Sequence, residues 1–370
     1  MNYIDLGETK QLNQIIMAGS HDAAITQGGI NAKTQSINIH GQATAGVRLF
    51  DLRITGQIVG GNDQKVMELT AYHGKPSKVK ITTSGKDVVN VTAANNMKLG
   101  TWGMELKEIL TQAKDFVAEN PSEFLLLKFD KCDNWQQIAE MCVEILGDYL
   151  YMVPGNLNVT EQKRLKSKVV VLFTPKGYDQ VRNRPEVTKK VLLGIHQIKN
   201  LYGSGKVYQQ TFDGLQYWGK GGTSPVTFGT KRSIDENIKK QKKILSAAID
   251  QKPSSYLDVM GMMYWTTTGV IGNIEERTKE MWKAKYTEKM VELWKAIRDH
   301  AGTDTVAETS VKKVQKGQEE KDQYFRVWTS REKQFLPNFI MTDFADSDKC
   351  NTIFQLNKLT TSDFLELQQL

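Results

Sequence analysis

Short apolar segments alternate with longer amphipathic segments along most of this chain, and this alternation restricts its fold more than any other feature. Several of the short segments are apolar almost throughout, as expected of strands buried on both faces of a parallel sheet. The predicted strands are residues 12–17, 47–54, 68–72, 123–129, 168–174, 206–211, 257–264 and 338–342. The predicted helices are residues 102–119, 135–150, 233–251, 274–300 and 347–356. This order predicts an α/β fold in which parallel strands close into a barrel surrounded by helices.

The predicted barrel is irregular, because some connections between strands lack a helical period. Residues 57–69 show no amphipathic pattern, and residues 79–83 and 88–92 suggest an extra hairpin instead of a crossover helix. Residues 202–231 are rich in glycine and aromatic side chains, which is typical of a long loop. No internal repeat or low-complexity linker is visible. We therefore expect a single domain over residues 1–370, an irregular TIM-type (β/α)8 barrel.

Charge and composition limit the partners and the location of the protein. A net charge of +7 suits an acidic partner such as an anionic lipid surface or a nucleic acid. No motif of a nucleic-acid-binding fold accompanies the charge, so we do not expect nucleic acid. The chain has no apolar stretch of spanning length and no visible signal peptide. We expect synthesis in the cytoplasm, or export by a signal-independent route, and peripheral action at membranes. The cysteines show neither metal-like nor disulfide spacing.

Titratable side chains follow successive predicted strands, where the C-terminal mouth of a barrel collects active-site groups. They are His21, Asp22, Asp51, Arg53, His73, Lys128, Asp130 and Asp343. A single histidine at a strand end is more often structural than catalytic. A whole set is harder to explain in that way, because burying each group unpaired would cost roughly several kcal/mol.

Two of these histidines and one arginine supply a recognisable chemistry. Two imidazoles can act as general base and general acid, and a guanidinium can hold a phosphate through two parallel hydrogen bonds. His21, His73 and Arg53 are therefore the parts needed to cleave a phosphodiester without a metal ion. The remaining histidines are expected to be structural or to lie in helical or surface positions: His40, His196 and His300.

The motifs that contain these residues resemble the catalytic X domain of phosphatidylinositol-specific phospholipase C. The resemblance is carried by Ala-Gly-Ser-His-Asp at 18–22, Thr-Gln-Ser at 34–36, Gly-Val-Arg-Leu-Phe-Asp-Leu-Arg at 46–53, Tyr-His-Gly at 72–74, and Phe-Ile-Met-Thr-Asp-Phe at 339–344. Their order and their strand-end placement match that family. The motifs extend over residues 12–344, which is nearly the whole chain.

The resemblance is to the bacterial branch of the family. The eukaryotic enzymes carry an acidic residue near the position of Arg53, which helps to hold calcium, and an asparagine at the position of Asp22. A fixed positive charge at Arg53 would exclude a divalent cation and do part of its work. The resemblance therefore implies an enzyme that needs neither a metal ion nor another cofactor.

The resemblance also assigns roles in catalysis. His21 is expected to remove the proton from the inositol 2-hydroxyl, and Asp343 to fix the tautomer of His21. Arg53 is expected to bind a non-bridging phosphate oxygen. His73, paired with Asp22, is expected to protonate the departing diacylglycerol oxygen. The product would be inositol 1,2-cyclic phosphate, which is hydrolysed more slowly in a second step, and activity would peak near neutral pH between the pKa values of the two histidines.

Recognition of the inositol ring is assigned to a second set of residues. Lys128 matches a ring-binding lysine of the bacterial enzymes, and Asp51 is expected to support Arg53 or the network beneath it. Lys176 is a candidate substitute for an arginine of the family. Gln210 and Phe212 are placed where the family has an aspartate and a stacking tyrosine, so the loss of that carboxylate changes the expected contacts to the ring.

The aromatic segment at residues 212–222 suggests a contact with the lipid surface. Tyr217 and Trp218 are expected at the barrel rim, where such side chains favour a membrane interface. The alternative is that both rings simply cover the barrel mouth or a helix. The expected partner is a membrane surface that contains phosphatidylinositol, bound peripherally.

Two other functions remain open from the sequence. Glycerophosphodiester phosphodiesterases and barrels related to phospholipase D also use two histidines, but they hold a metal with a Glu-x-Asp pair after the second strand. Asp51 and Arg53 offer one acid and one base there, which argues against this class. A non-catalytic protein that binds inositol lipids is the third hypothesis, although such a protein has little physical need to keep His21, Asp22, Arg53 and His73.

Overall fold

A computed structural model of the protein describes residues 1–60, 66–82, 90–183, 188–203, 207–222, 230–250, 258–266, 273–300, 303–316, 319–332 and 335–367. The strands in these ranges are β1 Met17–Ser20, β2 Val47–Leu52, β3 Ile54–Val59, β4 Val66–Thr82, β5 Asn90–Glu105, β6 Phe124–Phe129, β7 Lys168–Phe173, β8 Ile195–Asn200, β9 Gly214–Gly219, β10 Met260–Trp265, β11 Thr303–Lys316, β12 Glu319–Glu332 and β13 Phe339–Thr342. The α-helices are α1 Ile39–Ala45, α2 Leu106–Glu119, α3 Trp135–Leu146, α4 Pro175–Arg182, α5 Lys189–Gly194, α6 Thr230–Asp250, α7 Ile274–Met281, α8 Ala284–His300 and α9 Ser347–Leu367.

Eight parallel strands close into a barrel in the order β1-β13-β10-β9-β8-β7-β6-β2. The last strand, β13, pairs with the first, β1, so residues near the two ends of the chain meet in the barrel wall. Helices separate several consecutive barrel strands. The predicted α/β TIM-type barrel is therefore confirmed.

Apolar side chains fill both sides of the barrel wall, because successive residues of a strand point to opposite faces. In β6, Leu126 belongs to the cluster inside the barrel and Leu127 to the cluster between the barrel and the helices. Helix α2 packs against the outer face, and its buried residues recur at spacings of three and four. They are Leu106, Ile109, Leu110, Ala113, Phe116 and Val117.

A buried ion pair lies on the outer face of β2, away from the barrel interior. Arg48 is almost fully buried, and its guanidinium lies 2.7 Å from Oε2 of Glu123. The same guanidinium stacks 4.9 Å from the ring centroid of Tyr3. Arg48 is thus a structural arginine, only five residues before Arg53 in the sequence.

Some predicted strands were wrong. Residues 207–213 form no strand, and residue 206 lies outside the described ranges. The barrel strands in this region are β8 and β9, which the sequence assigned to other structure because polar residues interrupt their apolar pattern. Residues 12–14 form a 3-10 turn, so the first strand begins only at Met17. His196, expected in a helical or surface position, lies buried in β8.

The predicted third barrel strand, residues 68–72, belongs to a second sheet. A single residue separates the end of β2 from the start of β3, and β4 pairs antiparallel with both β3 and β5. Gly56 and Gln57 of β3 also pair in parallel with β5, which closes this sheet. The extra hairpin expected near residues 79–92 is confirmed for the described residues of β4 and β5. We refer to β3, β4 and β5 together as the inserted sheet.

A further antiparallel pair, β11 and β12, separates α8 from β13 and was not predicted. None of the helices within the described ranges combines the length and the apolar character that a membrane crossing requires.

Candidate active site

His21 lies at the C-terminal mouth of the barrel, directly after β1. Its backbone N–H donates to the carbonyl of Thr342 in β13, and Gln35 donates a side-chain hydrogen bond to the His21 carbonyl. The ring atom Nδ1 lies 2.9 Å from Oδ1 of Asp343, which follows β13. The other ring nitrogen of His21, Nε2, therefore points away from Asp343.

Asp22 connects the other charged groups of the site. Its Oδ2 lies 2.8 Å from Nδ1 of His73 and 3.6 Å from Nε2 of His21. Its Oδ1 lies 2.9 Å from Nε of Arg53, as an ion pair that is not aligned for a hydrogen bond. The backbone of Asp22 is left-handed, with φ of 44°, a conformation that aspartate adopts more readily than most residues. Thr34 stabilises this turn by donating to the Asp22 carbonyl.

His73 reaches the same cleft from the inserted sheet and not from a barrel strand. It stands in β4 opposite Thr101 of β5. The neighbouring Tyr72 donates its hydroxyl to the carbonyl of Lys131, after β6, at 2.6 Å, which ties β4 to the barrel mouth. Gly74 has φ of 110°, and a Cβ atom there would lie 2.0 Å from the carbonyl oxygen of Leu99. Glycine is therefore required for the bend beside His73.

Asp51 and Lys128 form a buried pair beneath these groups. They stand opposite each other in β2 and β6, and Nζ of Lys128 lies 2.6 Å from Oδ1 of Asp51. Asp130 lies 3.7 Å from the same ammonium. Asp51 thus contacts Lys128, in the network beneath Arg53, instead of pairing directly with the guanidinium.

The carboxylates of the site control its proton affinities. Burial alone would lower the pKa of His21, but Asp22 and Asp343 outweigh burial and raise that pKa to about 9. Burial alone would raise the pKa of Asp22, but Arg53 and the imidazoles hold it far below its usual range. Burial raises the pKa of Asp343. Lys128 keeps its proton because Asp51 outweighs burial and raises the pKa of Lys128.

Three of these residues have the geometry of a possible metal site. His21, Asp22 and Asp51 each offer a ligand atom, and these atoms lie within 4.8 Å of one another. Both carboxylates are already engaged by cations, since Asp22 contacts Arg53 and Asp51 contacts Lys128. A divalent ion would have to displace or oppose both of these positive charges, so the donor set fits a metal poorly.

The structure does not bring all the predicted ring-binding residues into this cleft. Gln210 and Phe212 precede β9 and therefore stand at the opposite, N-terminal end of the barrel wall, so their predicted placement was wrong. The Gln210 carbonyl accepts from Asn156, and Nζ of Lys199 lies 5.3 Å from the Phe212 ring centroid. Lys176 follows β7 at the correct end, but it is exposed in the first turn of α4.

The prediction of an exposed rim loop also misplaced Tyr217 and Trp218. Both lie in β9 and are buried, because this strand is part of the barrel wall and all six of its residues are buried. Nε1 of Trp218 donates to the carbonyl of Ile244 in α6 at 2.6 Å. Tyr217 faces the barrel interior. The expected membrane contact of these two rings is therefore wrong.

The sequence missed one residue that the cleft contains. Tyr264 of β10 lies inside the barrel, and its ring meets the His21 ring edge-on at a centroid distance of 6.3 Å. Its position in the strand Met-Gly-Met-Met-Tyr-Trp, with alternate residues facing inward, was the available signal.

One family model matches the part of the chain that contains most of these site residues. The model described as "Phosphatidylinositol-specific phospholipase C, X domain" matches residues 9–174, which include His21, Asp22, Arg53, His73 and Lys128. This part of the chain belongs to that family. The prediction that the protein is a phosphatidylinositol-specific phospholipase C is thereby confirmed at the level of the family.

Solved phospholipases C of this type from two bacteria are similar to the chain. A phosphatidylinositol-specific phospholipase C from Listeria monocytogenes has 14% identity and a TM-score of 0.48, over 94% of this chain and 95% of that one. One from Staphylococcus aureus has 15% identity and a TM-score of 0.49, over 95% of each chain. The search of curated proteins found no match.

Proposed function

We propose that the protein cleaves phosphatidylinositol, or a related inositol phospholipid, to diacylglycerol and inositol 1,2-cyclic phosphate without a metal ion. The observation that carries this proposal is Asp22, which contacts both His73 and Arg53 while His21 stands against Asp343 across the same cleft. A base, an acid and a phosphate-binding cation therefore share one site.

In the proposed first step the substrate supplies its own nucleophile. His21 accepts the proton of the inositol 2-hydroxyl, and the 2-oxygen forms a new bond to phosphorus. The bond from phosphorus to the diacylglycerol oxygen breaks, and His73 donates a proton to that leaving oxygen. In the slower second step the histidines exchange roles: His73 accepts a proton from water as the water oxygen bonds to phosphorus, the bond from phosphorus to the inositol 2-oxygen breaks, and His21 donates a proton to that oxygen.

Arg53 is positioned to stabilise the charge that develops on phosphate. Within the described residues its guanidinium donates no hydrogen bond, although it contacts Asp22 as an ion pair. Its N–H groups therefore remain for the non-bridging oxygens, where a planar guanidinium can form two parallel bonds. Its permanent positive charge on Asp22, together with that of Lys128 on Asp51, supports catalysis without a divalent ion.

We further propose that the protein acts peripherally at a membrane surface, where its lipid substrate resides. The net charge of +7 favours association with anionic lipid headgroups.

Phosphorus NMR tests the function directly. The protein is mixed with phosphatidylinositol vesicles in EDTA, and the lipid phosphodiester signal should be replaced by that of a five-membered cyclic phosphate. Direct appearance of a phosphomonoester or of phosphatidic acid would contradict the cyclic mechanism. Activity that EDTA abolishes and added metal restores would instead favour the metal-dependent class of phosphodiesterase.

The pH dependence of the rate should reflect the raised pKa of His21. The proposed reaction needs His21 neutral and His73 protonated, so kcat/KM should pass through a maximum, and the rise that reports loss of the His21 proton should lie toward the raised pKa of about 9. Asp343→Asn removes a carboxylate that stabilises the protonated imidazole, so it should lower the pKa of His21 and move this rise to lower pH. The profile of kcat/KM against pH measures both effects. A wild-type rise centred near 6.5, or an unshifted profile in the variant, would contradict them.

A further inference from the structure

The floor of the cleft contains two tyrosine hydroxyls to which the proposed mechanism gives no role. We propose that the hydroxyls of Tyr217 and Tyr264 bind hydroxyl groups of the substrate's inositol ring and so help to determine specificity. This inference rests on the proposed function, because it names the residues that recognise the polyol part of that substrate.

Both tyrosines point into the barrel, as the alternation of β9 and β10 requires. Each belongs to the cluster inside the barrel, and each is followed by a tryptophan that faces the helices. Nε1 of Trp218 donates to the Ile244 carbonyl at 2.6 Å, and Nε1 of Trp265 donates to the Met281 carbonyl at 3.3 Å. The outward-facing indoles thus have partners in the scaffold.

The inward-facing phenols have no such partners. Tyr217 and Tyr264 are 8% and 7% exposed, and within the part of the chain that the structure describes neither hydroxyl forms a hydrogen bond. Other tyrosine hydroxyls do: that of Tyr3 accepts from the Ala18 N–H, and that of Tyr72 donates to the Lys131 carbonyl. Neither hydroxyl oxygen is among the fully buried side-chain atoms without a partner, so both keep some accessible surface and can form hydrogen bonds with a ligand in the cleft.

The surroundings of these hydroxyls suit a neutral polyol. Both phenols lie in the electrostatic environment of Lys128, whose ammonium is held by Asp51. Burial raises the pKa of both phenols, so they remain neutral and can each donate and accept one hydrogen bond. Sugar-like hydroxyls have the same dual capacity and pair well with such groups.

Their position agrees with the proposed chemistry. The Tyr264 ring stands edge-on to His21, which accepts the proton of the 2-hydroxyl, at a centroid distance of 6.3 Å. A ring whose 2-hydroxyl contacts His21 therefore presents its other hydroxyls to the neighbouring floor. Gln210 and Phe212, which the sequence assigned to this task, stand at the opposite end of the barrel wall and cannot perform it.

Phenylalanine substitutions separate a binding role from a structural one. Tyr217→Phe and Tyr264→Phe should each raise KM for phosphatidylinositol about 2–10-fold and weaken binding of myo-inositol by a similar factor. Neither should lower the midpoint of thermal unfolding, because each removes a hydroxyl without a partner. Tyr3→Phe is the matched control: its hydroxyl has a backbone partner outside the cleft, so it should lower the unfolding midpoint and leave KM unchanged.

The results distinguish this inference from the proposed function. If Tyr264→Phe and Tyr217→Phe lower the unfolding midpoint but leave KM and myo-inositol binding unchanged, both hydroxyls are structural and the inference is overturned. If the wild-type protein cleaves phosphatidylinositol and the variants bind myo-inositol as it does, only the inference fails. If the wild-type protein cleaves nothing while the variants weaken its binding of myo-inositol, the proposed function fails and the polyol site stands.

Discussion

Replacing either His21 or His73 with alanine is expected to lower the rate of phosphatidylinositol cleavage by at least about 10²–10⁴-fold while the protein stays folded. His21→Ala removes the proposed base and His73→Ala the proposed acid. Because the two act in one reaction, the double variant should be hardly slower than the slower single variant. Initial rates of release of water-soluble phosphate from vesicles, together with circular dichroism, measure activity and folding.

His40→Ala is the matched control for these histidine variants. His40 lies in α1, outside the cleft, and its Nε2 lies 2.9 Å from Oε2 of Glu119 on α2. The His40→Ala protein should cleave phosphatidylinositol at the wild-type rate. Wild-type turnover by a folded His21→Ala or His73→Ala protein would rule out the assigned roles.

Arg53→Lys is expected to reduce kcat by about 10²–10³-fold although it preserves the positive charge. A lysine can still face Asp22 and the phosphate, but it loses the planar pair of donors that binds two oxygens at once. Because the interaction strengthens as charge develops on phosphate, the loss should fall mainly on kcat and less on KM.

Arg48→Lys controls for the loss of a guanidinium from the same stretch of chain. Arg48 is buried on the outer face of β2 against Glu123, so this variant should lower the free energy of unfolding and leave kcat unchanged. Urea denaturation and steady-state kinetics of both variants give the comparison. Equal kcat for Arg53→Lys and wild type would show that a point charge is sufficient and that bidentate binding is not used.

Most of the charged groups of this site could be predicted from the sequence because each follows an apolar strand within one or two residues. Arg53 is the first residue after β2, and Asp22 is the second residue after β1. Asp343 is 322 positions from His21, yet it could be placed because the first and last strands of a closed barrel are neighbours. The pattern of apolar strands and the closure of the barrel were together sufficient to predict where Asp22, Arg53 and Asp343 lie.

The floor of the cleft could not be predicted in the same way. Strand β9 reads Gly-Leu-Gln-Tyr-Trp-Gly, in which glycines bound the strand and a polar residue lies at its centre. Glycine and aromatic residues are also typical of loops, and only pairing with β8 and β10 shows which pattern applies. Because the strand was predicted at residues 206–211 and lies at Gly214–Gly219, Gln210 and Phe212 were expected at the mouth of the barrel and stand at its base.

The general acid of the proposed reaction is carried by the inserted sheet, whereas the general base is carried by the barrel. Arg53 is the single residue between β2 and β3, so it stands at the junction of the two structures. The distance between the acid His73 and the base His21 is therefore set by how the inserted sheet packs against the barrel, and not by either sheet alone. Substitutions at the contacts between the inserted sheet and the barrel, remote from every reacting atom, can therefore change the turnover rate without altering a catalytic group.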